Sequence, residues 1–151
     1  MSNVVALRNW RMPVDKVHLG TAFGVVDAAH PNGHRGCDFN GLPEGTALKA
    51  VCDGMKVVNI LFSKVLGNIV VLQVGDKFFG YCHMQKPTKL KLGQIVNSGD
   101  VVGLLGNTGT ASSGPHLHLT LGWDKFSVIT GNVTDAYHVL VAKIEEEKKA
   151  A

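Results

Sequence analysis

Seven histidines stand in this chain of 151 residues, and four of them fall into patterns that could do chemistry. His34 precedes Asp38 in His34-Arg35-Gly36-Cys37-Asp38, His83 ends Tyr81-Cys82-His83, and His116 and His118 alternate in Pro115-His116-Leu117-His118-Leu119-Thr120-Leu121. Imidazole nitrogens and carboxylate oxygens are ligands that zinc accepts, and a catalytic zinc keeps three protein ligands with its fourth position open. His34, Asp38 and one of His116 or His118 meet that count. Any single histidine is more often a surface residue or a satisfied core residue, so His18, His30 and His138 receive no role. No His-Glu-x-x-His occurs, so a glutamate base on a helix is missing and histidines must move the protons.

Strand periodicity would position these groups. Alternation puts His116, His118 and Thr120 on one face and Leu117, Leu119 and Leu121 on the other. Two imidazoles on that face sit about 7 Å apart along the strand, close enough to serve one site. The same rule puts Tyr81 and His83 together and turns Cys82 away, as a buried reduced thiol and not a nucleophile paired with His83. Gly36 inside His34–Asp38 argues against one helical face and for a loop entering a strand.

The surrounding sequence reads as short strands. Glycine stands at 18 residues and valine outnumbers leucine, a composition of strands and tight turns in a single domain. After an extended lead-in from Met1 to Leu19 and a long loop from Gly20 to Gly33, strand-like runs cover Thr46–Cys52, Met55–Phe62, Ile69–Val74 and Lys77–His83. The turns Asp53-Gly54 and Gly75-Asp76 and the break at Gly67-Asn68 make this middle section an antiparallel meander. Val101–Leu105 and Pro115–Leu121 are further strands, separated by a Gly/Ser/Thr-rich loop from Gly106 to Gly114. Tyr137, Leu140, Val141 and Ile144 recur at helical spacing behind a Thr134 cap, predicting a C-terminal helix whose charged end frays, with Glu145 pairing to Lys148 or Lys149.

Fifteen Lys and Arg against twelve Asp and Glu give a net charge of +3. The basic residues are scattered, which favours contact with an acidic polymer but not nucleic-acid binding. Three cysteines at wide spacings exclude a disulfide framework and fit a reducing compartment. No apolar run is long enough to span a membrane and no secretory signal is visible at Met1–Arg11.

Taken as a set, His34-Arg35-Gly36-Cys37-Asp38, Tyr81-Cys82-His83-Met84 and Gly106-Asn107-Thr108-Gly109 through Gly114-Pro115-His116-Leu117-His118 resemble the lysostaphin/LytM-type zinc endopeptidases of peptidoglycan. Phe23-Gly24, Gly45-Thr46, Gly67-Asn68, Gly93-Gln94 and Gly99-Asp100 agree with the spacing of that family, from about Trp10 to Trp123. The resemblance implies a mainly β fold, an antiparallel sheet with an open groove of the duplicated-hybrid-motif type, plus the C-terminal helix. It implies one zinc per chain on His34, Asp38 and His118, with His83 and His116 as the catalytic pair. With that ligand set, His116, on the same strand face as His118, is expected to take the proton of the attacking water, and His83 to hold the oxyanion and share proton delivery to the leaving amine. Tyr81, Asn107 and Thr108 are expected along the substrate groove, walled by Gly20–Gly33 and Gly106–Gly114. The catalytic domain is expected over residues 1–123, with 124–151 as a loop and helix extension that departs from the family's usual ending.

The function so implied is hydrolysis of peptide bonds in bacterial peptidoglycan, at a stem cross-link or a cross-bridge. The partner expected is a cell-wall peptide, with no nucleic acid and no membrane insertion, and the chain is expected to be a monomer. Lack of a signal fits a bacteriolytic phage endolysin or virion-associated lysin made in the cytoplasm, or a shortened piece of an exported enzyme. The alternative from another class is a non-catalytic zinc-binding or structural module of a phage particle that uses the same groove to bind cell-wall peptide.

Overall fold

In the computed structural model, which describes residues 7–150, nine strands and two helices follow in the order β1 (Cys37–Phe39), β2 (Ala47–Lys49), β3 (Met55–Ser63), β4 (Gly67–Val74), β5 (Lys77–Met84), β6 (Ile95–Val96), β7 (Val101–Leu104), β8 (Leu117–Gly122), α1 (Ser127–Thr130), β9 (Val133–Thr134) and α2 (Ala136–Ala150). Residues 1–6 of the expected lead-in, and with them part of the stretch read for a secretory signal, lie outside the described residues, as does Ala151. Seven strands form one antiparallel sheet, β1-β8-β5-β4-β3-β6, with β9 beside the far end of β8. Among the described residues no helix is long and apolar enough to cross a membrane.

The meander holds for β3, β4 and β5, whose hairpins turn before Gly67 and at Gly75-Asp76. It does not extend back to β2. Asp53-Gly54 is a turn, but β2 pairs with β7 in a separate two-stranded sheet. Burial explains the choice: Leu48, Ala50, Val51, Cys52, Val102 and Leu105 are all within 1% of full burial, and they pack onto the sheet face that carries Phe39, Val70, Leu72, Tyr81, Leu117 and Leu119. Folding β2 away as a lid covers that face; a hairpin with β3 would leave it wet. The other face of the sheet is open and holds the histidines.

The segment after Trp123 is integrated with the sheet. β9 extends it, Val128 of α1 packs with Ile69, Val71 and Cys82 on the open face, and Ala136 and Leu140 of α2 enter the main core. Thr134 lies in β9, and the helix is capped one residue later: Asp135 Oδ1 accepts the His138 backbone N–H at 3.1 Å, the geometry of an acidic N-cap. Val141 is exposed, so the buried stripe centres on Leu140 and half-buried Tyr137, which meets Phe39. The far end of α2, expected to fray into solvent or to lead into a partner segment, is anchored at Glu147. Glu147 accepts the backbone N–H groups of Arg8, Asn9 and Trp10, with Asn9 at φ 55 turning three consecutive donors toward one carboxylate. Lys148 meets Glu145 at 3.4 Å.

All three cysteines are free and buried. Burial pushes the Cys37 and Cys52 thiols up to about 12 and Cys82 still higher. Native protein at about pH 8 is therefore expected to resist alkylation at all three, with full labelling after unfolding, read by mass spectrometry. Removing the Glu147 carboxylate (Glu147→Ala) should lower stability by about 1–2 kcal/mol, seen as a reduced Tm together with faster tryptic cleavage at Arg8 and Arg11.

Candidate metal centre and catalytic groove

The register of two short strands builds the centre. β1 lies antiparallel to β8 with Asp38 opposite His118, flanked by Cys37 opposite Leu119 and Phe39 opposite Leu117. Directly opposed residues share a face, so the apolar flanking pairs enter the core while Asp38 and His118 are pushed together on the open side. His34 arrives from the preceding loop, whose shape is set by Gly24 N–H to His34 O at 2.8 Å and His34 N–H to Val25 O at 2.9 Å.

Three donor atoms converge. His118 Nδ1 lies 3.0 Å from Asp38 Oδ1, His34 Nε2 lies 3.3 Å from the same oxygen, and the two nitrogens are 3.1 Å apart. Ligand atoms about 2.0–2.2 Å from one tetrahedral zinc are separated by about 3.3–3.5 Å, so the triangle has close to the required size. Its chemistry fits as well, since zinc takes neutral imidazoles and an ionised carboxylate. Burial alone would raise the Asp38 pKa, but hydrogen bonds and charge from His118 and His34 outweigh it and hold the carboxyl below its usual range. Burial lowers the pKa of His118, with Asp38 offsetting only part of it; at His34 burial pulls the same way, but Asp38 prevails and raises it. His34 Nδ1 donates to Ala22 O at 3.2 Å, which leaves Nε2 bare for a ligand.

Beside the triangle stand two more imidazoles. His116 Nδ1 donates to Gly114 O at 2.8 Å, and His83 Nδ1 donates to Thr108 O at 2.6 Å. Both carbonyls belong to the 106–114 loop, and both rings present a bare Nε2 to the open side. Their centroids are 4.7 Å apart, and His116 Nε2 is 3.8 Å from Asp38 Oδ1. Burial, chiefly, pulls the His83 pKa down to about 4, so its ring is neutral at neutral pH.

His83 does not reach this place by simple alternation. Between the Asn68–Met84 and Val70–Tyr81 pairs, two residues of β5 oppose one of β4, which is a β-bulge. His83 takes φ 59 there, a left-handed backbone unfavourable for a residue with a Cβ. The extra residue swings His83 to the open face and leaves Tyr81 behind. Tyr81, expected in the groove, is fully buried in the core with its hydroxyl donating to Lys49 O at 2.9 Å. Cys82, expected to face away from the site, is opposite His118 on the open side and is buried under Val128 instead.

The open face forms a cleft of about 1110 Å³ that takes in all five of these residues. Its walls include Asp27, His30 and Asn32 from the first loop and Thr110, Ala111 and Ser113 from the second, the two stretches expected as walls. Asn107 and Thr108 are not on its surface. Asn107 Oδ1 accepts the Ser112 hydroxyl, and Thr108 braces the bulge by accepting from Asn68 N–H and donating to Met84 O. Two further walls have no signal in the motifs: Val65 and Leu66 in the β3–β4 turn, and Val128 and Ile129 of α1. Gly36 was equally hidden as a site residue, although its place inside His34–Asp38 is the available clue. A Cβ at Gly36 would fall 2.6 Å from His118 Cε1 and 2.8 Å from Leu119 O. Gly36→Ala is thus expected to displace His118 and to weaken metal affinity by about 10- to 100-fold, measured by competition with a chromogenic chelator.

The site has relatives. The chain is 42% identical over 89 residues to peptidoglycan DD-endopeptidase ShyA of Vibrio cholerae, an overlap of 58% of this chain and 20% of ShyA. Peptidoglycan DD-endopeptidase ShyC of the same organism is 36% identical over 86 residues, 56% of this chain and 19% of ShyC. The chain therefore spans about a fifth of the length of these curated relatives. Among solved structures, the catalytic domain of the antimicrobial peptidase lysostaphin from Staphylococcus simulans aligns with a TM-score of 0.71 and 30% identity, covering 82% of this chain and 92% of that domain. A zinc-containing peptidase from Vibrio cholerae aligns with a TM-score of 0.70 and 28% identity over 85% of this chain and 39% of its own. The model of peptidase family M23 matches residues 32–130, most of the chain, so the chain belongs to that family.

Proposed function

We propose that this domain hydrolyses a peptide bond in bacterial peptidoglycan, holding zinc on His34, Asp38 and His118 and moving protons with His116 and His83. The observation that carries the reading is the meeting, in one open cleft, of a donor triangle of zinc dimensions with two imidazoles whose Nε2 atoms are bare. The relatives named as peptidoglycan DD-endopeptidases support the substrate class. A non-catalytic module would have no use for the second pair of histidines, both of them oriented by backbone carbonyls.

When bound, zinc supplies a Lewis acid that polarises a carbonyl and acidifies water. The side chains supply the proton traffic. Because His116 spends its Nδ1–H on Gly114 O, its Nε2 is an acceptor and can take a proton from a water in the cleft beside His34, Asp38 and His118, the residues that would hold zinc. Asp38, 3.8 Å from that nitrogen, stabilises the imidazolium that forms. The proton can then pass from Nε2–H to the departing amine. His83 enters as a neutral ring with its N–H committed to Thr108 O. In that form its Nε2 accepts a hydrogen bond from a substrate N–H or a water in the groove, and holding the oxyanion, as expected above, requires a proton on that nitrogen. Release by a phage and export by a host would bring the same domain to the same polymer.

Cleavage of purified peptidoglycan should stop on chelation and return with added zinc. His116→Ala should lower kcat by about 100-fold or more while zinc, measured by metal analysis, stays near one per chain. Undiminished turnover by that variant would remove His116 from the mechanism, and stoichiometric zinc in a His34→Ala, Asp38→Ala double variant would overturn the ligand set. Mass spectrometry of muropeptides from walls of several types names the bond.

A further inference from the structure

The cleft has one permanently charged cation in its lining, Arg35. Its two lining carboxylates are already engaged: Asp27 Oδ1 meets His30 Nδ1 at 2.8 Å, and Asp38 belongs to the donor triangle. Among the described residues no carboxylate pairs with Arg35. The side chain is nevertheless held in place. Nη1 donates to Gly131 O at 3.0 Å, and the guanidinium lies against a residue without a side chain: a Cβ on Gly131 would fall 2.9 Å from Arg35 Cδ and 3.1 Å from Nη1. Gly131 closes α1 in the left-handed conformation at φ 78, so the end of that helix fixes the pose twice, by an acceptor and by a missing methyl. Of the five N–H donors of a guanidinium, one is used.

A planar cation with spare donors, next in sequence to His34 and on the wall of the same cleft, matches an oxyanion that can accept two parallel hydrogen bonds, and in a wall peptide that oxyanion is a carboxylate. We propose that Arg35 binds a free carboxylate of the substrate close to the cleaved bond, so that the groove selects wall peptides bearing such a group over uncharged glycine bridges. The carboxylate is either that of a cross-linking diamino acid or the terminus of a stem peptide. This assignment rests on the peptidoglycan reading above and sharpens it to a substrate class.

The test compares wild type, Arg35→Gln and Arg35→Lys on four substrates: a cross-linked muropeptide dimer, the same dimer amidated at the diamino-acid carboxyl, the dimer amidated at the terminal carboxyl, and an oligoglycine-bridged peptide. For wild type, amidation of one of the two carboxyls should raise KM by roughly 10- to 100-fold, the size of a charge-assisted hydrogen bond, and the sensitive one identifies the source. Arg35→Gln should show the same rise on the unmodified dimer, no further rise on the amidated one, and unchanged kcat and zinc content. Arg35→Lys should recover part of the loss. Wild type that cleaves the dimers but ignores both amidations overturns the role of Arg35 alone. So does an Arg35→Gln variant that loses equally on every substrate. Wild type that cleaves none of the four substrates, with zinc bound, overturns the peptidoglycan reading and this assignment with it.

Discussion

The structure turns on one half-buried carboxylate. Asp38 is largely withdrawn from water, and an ionised carboxylate in that position is costly unless it is paired and hydrogen-bonded. His34 and His118 supply the pairing at 3.3 and 3.0 Å. In turn, Asp38 can reach them only because Cys37 and Phe39, its neighbours along β1, are driven into the core against Leu119 and Leu117. The hydrophobic effect thus sets the register, and the register sets the position of the charge. Slipping β1 by one residue would bury Asp38 and expose Cys37 and Phe39, so the donor triangle is tied to the burial of the core.

The second constraint is the 106–114 loop. It has few buried apolar groups of its own, and its shape comes from backbone contacts. Gly67 and Gly109 pack so closely that a Cβ on Gly109 would fall 2.5 Å from Gly67 N, and a Cβ on Gly67 would fall 2.6 Å from Thr108 C. That contact locks the β3–β4 turn to the loop, and through the loop it fixes the carbonyls of Thr108 and Gly114. Two imidazoles are therefore oriented from a single piece of backbone. The donor triangle is oriented by other elements, so the two groups of side chains are supported separately.

What could be read in the sequence was what is local. Alternation in β8 places His116 and His118 above Leu117, Leu119 and Leu121 with no knowledge of the rest of the chain, and this is where the side chains are. The identity of the five histidine and aspartate positions came from a motif pattern. The misplaced residues are those whose position depends on a distant partner. Tyr81 and Cys82 exchanged faces because the bulge at His83 exists only opposite β4, and no pattern within Tyr81-Cys82-His83 encodes an extra residue. β2 left the meander because its apolar residues were needed as a cover for the sheet, a choice made by total burial and not by Asp53-Gly54. Gly36 looked like punctuation, whereas it is the space occupied by the His118 ring.

The backbone at position 83 sets local stability against function. Judged by conformation alone, a left-handed bulge position favours glycine or asparagine, and a residue with a larger side chain there raises the energy of the fold by about 1–2 kcal/mol. Under the proposed mechanism, the imidazole at position 83 offsets that cost only during turnover. In a lineage that kept the fold as a binding or scaffolding module, selection on hydrolysis would lapse while the backbone preference continued to act. Position 83 would then be among the first to drift toward asparagine or glycine, ahead of Asp38 and His118, which stabilise one another.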